Sequence, residues 1–259
     1  MSKLGLIAVP MLFAAMSFAQ AGAPAASDGN VTAPPKVVLL VFQQFLPGRA
    51  GARQTLEIDT AQNFDRLNVP VTWIELESLT GPPQAMFFDP ANSFADLDKA
   101  GVALAQFYRA NPDLAQNQQR IDDTVSSSRT VTAFRREDLS SQPDKINLAK
   151  ARYLRVRVVQ VAPSNERNFS SAVSAAAKEK PWAAYQVNAG FPDITFLFVE
   201  TLQSMQDVDQ SLGKMGAEWN WLGAASSSEV TLYALHPEMS HVSKEFAAAD
   251  PYYWGPRGQ

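Results

Sequence analysis

The chain has 259 residues, a formal net charge of −4, 46% hydrophobic residues and no cysteine. It can therefore hold no disulfide, thiolate metal site or cysteine nucleophile, and its mildly acidic balance argues against nucleic acid and anionic membranes as partners. The length fits one large domain or two of ordinary size.

Residues 1–21 read as a secretory signal. Lys3 is a minimal charged start, Leu4 to Phe18 an apolar run, and Ala19, Ala21 and Ala23 offer small residues for cleavage. Pro10 interrupts that run, which is shorter than the roughly 20 residues of a spanning helix. No later segment is apolar enough to cross a bilayer, so a periplasmic or secreted protein is expected, with no membrane insertion after cleavage. Residues 22–35 are rich in Ala, Pro, Ser and Gly, the composition of a flexible leader.

Val37 to Phe42 is a continuous apolar run and reads as a central strand. Past Pro47-Gly48, the spacing of Leu56, Ala61, Phe64 and Leu67 predicts a helix from about Gly51 to Leu67. The next stretch alternates, with Trp73, Glu75 and Glu77 on one face and Ile74 and Leu76 on the other. Thr80-Gly81-Pro82-Pro83 makes a turn into a third strand, Ala85 to Asp89. Ser93, with Asp96 three residues on, is a helix N-cap ahead of Leu97, Val102, Leu104 and Phe107. Asn111-Pro112 starts a further helix, from Leu114 to Val125, and Ser128 to Arg136 reads as a fourth strand.

The same order returns after a polar connector. Strands are expected at Tyr153 to Val161, Trp182 to Asn188, Ile194 to Glu200 and Glu229 to Leu235, and helices at Ser164 to Lys178 and Ser204 to Met215. Gly81 to Asp98 also has a degenerate copy beginning at Gly190. Both passages run Gly-x-Pro, a short apolar segment, then Ser-x-x-Asp-x-Asp, at Ser93, Asp96 and Asp98 and again at Ser204, Asp207 and Asp209. Residues 36–141 and 152–241 thus read as two β-α-β-β-α-β repeats, with a linker at 142–151 and a tail at 242–259. The aromatic groups Trp219-Asn220-Trp221 and Tyr252-Tyr253-Trp254 are expected to pin a loop and the tail onto the core.

A β-α-β-β-α-β unit is ferredoxin-like, and the fold class is α+β. A tandem pair packed sheet to sheet resembles the dimeric α/β-barrel superfamily, fused here into one chain as a pseudo-dimer over about Lys36 to Ser240. The resemblance implies a monomer in which the second strand of one half lies beside the fourth strand of the other. It also implies a lumen between the halves, and a family in which some members bind haem through a histidine or oxidise aromatic compounds without a cofactor.

If Ile74 and Leu76 face the helices, Trp73, Glu75 and Glu77 face that lumen. If Leu154, Val156 and Val158 do likewise, Arg155 and Arg157 join them, with Tyr185 and Tyr233 from neighbouring strands. These seven residues are the candidate site, either a polar lumen for a small carboxyl- or carbonyl-bearing ligand or an internal salt-bridge lattice. His236 and His241 lack the spacing of a two-histidine zinc motif, and no nucleophile elbow or phosphate loop is present, so neither cofactor nor metal is expected. The leading expectation is an exported protein that binds a small molecule or a protein partner, with no demonstrated catalytic set. The alternative is a cofactor-independent oxidoreductase-like enzyme using Glu75, Glu77, Arg155, Arg157 and Tyr233 in the lumen. Haem or metal binding through a histidine is the third.

Overall fold

Eight segments rich in β-branched and aromatic residues form strands: β1 (Val37–Phe45), β2 (Ile74–Ser78), β3 (Gln84–Ala91), β4 (Val125–Arg135), β5 (Tyr153–Val161), β6 (Ala183–Ala189), β7 (Ile194–Leu202) and β8 (Ser227–Leu235). They close into an antiparallel barrel in the order β1-β3-β2-β8-β5-β7-β6-β4, which leaves no sheet edge unpaired. The computed structural model describes residues 31–176, 180–212 and 220–255, so the expected signal peptide, most of the leader and Trp219 lie outside the described residues. Among the described residues no helix is long and apolar enough to cross a membrane.

The helices are α1 (Ala50–Leu67), α2 (Phe94–Ala110), α3 (Pro112–Asp122), α4 (Glu166–Ala175), α5 (Met205–Leu212), α6 (Lys244–Ala248) and α7 (Pro251–Trp254). The repeated serine–aspartate pattern acts as expected: Ser93 Oγ accepts from the Asp96 amide and Ser204 Oγ from the Asp207 amide, each satisfying a donor at a helix start. Gly190, at the β6–β7 turn, has φ +110° and lies against the Thr130 carbonyl, where a Cβ has no room.

Every strand puts one face into a single apolar cluster: Val38 and Leu40, Ile74 and Leu76, Met86 and Phe88, Val131 and Ala133, Leu154 and Val156, Ala183 and Tyr185, Leu197 and Val199, Tyr233 and Leu235. A face shared by all strands of a closed barrel is its interior. The lumen is thus packed with side chains, and the expectation that Ile74, Leu76, Leu154, Val156 and Val158 face the helices is reversed. The reason is solvation. The interior is sealed all round, so the uniformly apolar row goes there, while a charged row is tolerable only on the outer face, where helices can bring partners.

One end of the barrel is stoppered by the expected linker and tail. Ile146, Leu148, Ala149 and Ala151 of the linker join the interior cluster, as do Val242, Phe246, Ala247 and Trp254 of the tail. Trp254 Nε1 donates to the Ala149 carbonyl at 2.7 Å, Tyr253 Oη donates to the Leu235 carbonyl at 2.8 Å, and Arg152 pairs with Asp250 at 2.5 Å. The polar composition of the linker concealed a regular set of inward apolar residues. Packed chain also begins before Lys36, because Thr32 is buried and its carbonyl accepts from the Leu148 amide. A second cluster, with Phe169, Val173, Trp182, Phe196, Phe198 and Trp221, fills the space between α4 and the outer face of the second half.

Candidate functional site

The apolar stripe of α1 is not wholly apolar. Its buried positions are Arg53, Leu56, Glu57, Thr60, Ala61 and Phe64, which follow helical spacing and turn two charged side chains toward the sheet. Arg53 meets the outward row of β2: its Nη1 lies 2.6 Å from Glu75 Oε1 and 3.5 Å from Glu77 Oε1, and its Nη2 donates to Glu57 Oε1 at 3.1 Å. The rings of Phe45 and Phe87 lie 4.9 and 5.5 Å from the guanidinium carbon, a cation–π setting shielded from water. One guanidinium thus gathers three carboxylates between α1 and β2.

Burial pushes Glu57 up to about 7 despite the Arg53 charge, with Asp122 and Glu77 pushing the same way. Burial also holds Glu75 well above the usual carboxylate range, reinforced by Glu57, against the pull of Arg53. One positive charge cannot compensate three ionised carboxylates in a dry site, so the group retains protons near neutral pH. A carboxyl whose folded value is raised binds more protons folded than unfolded, so its stabilising contribution is fully present below the unfolded value and is lost as pH rises through the folded one. Glu57 sets that window at about pH 4.5 to 7. The melting temperature is therefore expected to be higher at pH 5.5 than at pH 8, with Glu57→Gln flattening the difference. A melting curve unchanged between the two pH values would contradict this charge arrangement.

The accessible end of the group is Glu77. Its side chain is 25% exposed and its Oε2 lies 3.8 Å from Nε2 of His236, which is 24% exposed. His236 Nδ1 is 3.1 Å from Glu238 Oε1, so the imidazole is held between two carboxylates. Backbone contacts fix this corner: the His236 amide donates to the Glu75 carbonyl at 3.0 Å, and the Glu75 amide donates to Ser240 Oγ at 2.9 Å.

The other expected site residues lie elsewhere. Arg155 and Arg157 share the outward face of β5 and are engaged there, Arg155 with Glu200 at 3.2 Å and Arg157 with Ser228 Oγ at 3.0 Å, so the expected meeting with Glu75 and Glu77 across the lumen does not occur. Trp73 packs against Phe64, with ring centroids 4.9 Å apart, and donates from Nε1 to the Met239 carbonyl at 2.9 Å. Only Tyr185 and Tyr233 of the seven are in the lumen. Both are buried, their hydroxyls meet the Pro35 carbonyl and Gln84 Nε2, and burial raises both above the ordinary phenol range. Arg53 and Glu57 were missed, although their i, i+4 spacing in register with Leu56, Ala61 and Phe64 was a readable sign.

Haem bound through a histidine does not fit these residues. His241 is buried, with Nδ1 2.6 Å from Asp65 Oδ1 and Nε2 3.0 Å from the Val69 carbonyl, and His236 sits between carboxylates. Among the described residues, no group of three or more His, Cys, Asp or Glu side chains is placed to hold a metal ion. An open cavity of about 530 Å³, lined by Lys145, Asn147, Pro181, Thr201, Gln203, Ser204 and Asp207, shares no residue with the charged group.

No protein-family model matches the chain, and no curated protein matches it. Solved structures do match. An anthrone oxidase-like protein superposes with a TM-score of 0.51 at 12% identity, over 77% of this chain and 90% of its own. A provisionally assigned monooxygenase of Fusobacterium nucleatum subsp. nucleatum gives 0.51 at 10% identity, over 78% and 93%. The chain has the dimeric α/β-barrel fold. A chlorite dismutase of Candidatus Nitrospira defluvii, at 11% identity and a TM-score of 0.48, is a weaker match. These identities establish likeness of fold alone. The proteins sharing the fold are named as enzymes, which corrects the expectation of a binding protein with no demonstrated catalytic set and moves the oxidoreductase alternative forward.

Proposed function

We propose that the chain is a cofactor-independent, oxidoreductase-like enzyme that oxidises a small carbon acid with dioxygen, using Glu77 and His236 backed by Arg53, Glu57 and Glu75. The observation that carries this reading is the 3.8 Å approach of a partly exposed imidazole to the outermost of three carboxylates gathered on one buried guanidinium. An accessible imidazole and carboxylate, backed by two buried acids whose proton affinities burial raises, suit proton abstraction. A methylene group activated by neighbouring carbonyl or aryl groups gives up one proton to His236. The carbanion then reduces dioxygen, the second hydrogen is lost, one oxygen atom becomes the new carbonyl oxygen and the other leaves as water. Arg53 is buried and acts by positioning Glu77, not by touching substrate.

The likeness in fold to an anthrone oxidase-like protein supports anthrone as the first probe. On this reading the chain is an exported monomer, and the strand orders β4-β1-β3-β2 and β8-β5-β7-β6 around the barrel support its construction from two fused ferredoxin-like repeats. Oxygen uptake with anthrone tests the chemistry. The protein is expected to exceed the uncatalysed rate, and Glu77→Gln and His236→Ala, each folded by circular dichroism, should lose about 100-fold or more. No uptake above background with anthrone or related phenolic carbon acids, or full activity in both variants, would overturn it.

A further inference from the structure

His241 closes the short segment that begins at His236, and the oxidase reading gives it no part. It is buried, and each of its ring nitrogens faces an oxygen: Nδ1 lies 2.6 Å from Asp65 Oδ1 and Nε2 3.0 Å from the Val69 carbonyl. A carbonyl only accepts, so Nε2 carries a proton. A neutral imidazole would then turn a lone pair from Nδ1 onto the Asp65 carboxylate, setting two acceptors 2.6 Å apart, so a second proton lies between Nδ1 and Oδ1. Asp65 on α1 is the charged group that faces the ring, while Arg66 beside it donates to Asn63 Oδ1 at 2.7 Å. Two other sides are aromatic: Phe64 lies edge-on with ring centroids 5.7 Å apart, and the Trp73 centroid lies at 5.3 Å. Shielding of this kind strengthens a charge-assisted hydrogen bond.

The pair joins the two elements that build the candidate site. Asp65 belongs to α1, which also carries Arg53 and Glu57. His236 is held to β2 through its amide on the Glu75 carbonyl, and Ser240 Oγ accepts from the Glu75 amide while donating to the His236 carbonyl at 2.7 Å. At the other end of the segment the His241 backbone pairs with Trp73 in both directions, at 2.8 and 3.1 Å, and its ring reaches across to α1. Asp65 lies about 18 Å along the helix from Arg53, so the pair is remote from Glu77 and can act on it only through the frame.

We infer that His241 and Asp65 form a proton-bridged clasp that fixes the His236 segment on α1 and so sets the approach of His236 to Glu77. His241 is a positioning residue, acting through His236. The clasp stands on its own geometry, and its bearing on turnover rests on the oxidase reading.

The chain has two histidines, so a nitrogen-15 spectrum of histidine-labelled protein reads each ring separately. At pH 7 both His241 nitrogens are expected to be protonated. In the unaltered protein, the pH at which His241 gives up its second proton should also appear as an inflection in the His236 signals, a coupling read without any substitution. Asp65→Asn, which keeps the shape of the side chain, should bring out an unprotonated His241 nitrogen at lower pH and shift the His236 signals. It should also lower kcat for anthrone about tenfold with KM changed less than about twofold, as expected when a base is misplaced with substrate binding intact. Asp65→Asn combined with His241→Gln should lose little more than either change alone, because the two residues act as one unit. An unprotonated His241 nitrogen at pH 7 in the unaltered protein, His236 signals indifferent to His241, or an active enzyme with kcat unchanged by Asp65→Asn would overturn the inference. No oxygen uptake, with the His236 signals responding as expected, would count against the oxidase reading only.

Discussion

Leu76→Glu is expected to yield no folded protein. Leu76 has no exposed surface and faces the barrel interior beside Ile74, Tyr233 and Leu235, with no cation in that cluster. The substitution deletes a buried aliphatic side chain, worth about 2–5 kcal/mol, and leaves a carboxylate without a partner, so the total exceeds about 5 kcal/mol and rivals the whole stability of an ordinary domain. Glu77→Leu, one residue along and on the opposite face, should leave the fold intact because Glu77 is the least buried of the three acids on Arg53. Near-ultraviolet circular dichroism and cooperative melting distinguish the two variants. A native-like Leu76→Glu protein would mean that the inward row of β2 has been assigned to the wrong face.

Arg53→Met should destabilise the protein by about 3–5 kcal/mol at pH 8, the usual result of removing one partner from a buried ionic group. Arg53 has no exposed side-chain surface, and its loss leaves Glu57, Glu75 and Glu77 facing one another without a counter-charge. For a chain of this size the melting temperature should fall by about 10 °C. The deficit should shrink at pH 5.5, since burial raises the proton affinity of Glu57, to about 7, and of Glu75, so that both carboxyls tend to be neutral there. Adding Glu75→Gln should restore part of the loss. Urea midpoints for the single and double variants at both pH values are the measurement, and a change below about 1 kcal/mol for Arg53→Met would contradict the geometry.

Local signals were readable because their physics is local. The Ser93–Asp96 and Ser204–Asp207 caps satisfy amides within one turn of their own helices, and the apolar run of β1 needs no partner to be recognised as a strand. The placement of β2 beside β8, and of β8 beside β5, followed from the family resemblance and is present in the barrel. The linker and tail were harder. Ile146, Leu148, Phe246 and Trp254 are separate apolar residues in polar, turn-rich sequence, and nothing short of the barrel opening shows that they converge on it.

Alternation along β2 was sufficient to determine that Glu75 and Glu77 share a face, and helical spacing along α1 that Arg53 and Glu57 share one. Which face of β2 turns inward is a different kind of fact, since a period of two is symmetric between the sides of a strand. Only closure of the barrel decided it. Closure sealed one side for Ile74 and Leu76, and it left Glu75 and Glu77 where Arg53 could reach them, because buried charge survives only beside an opposite charge.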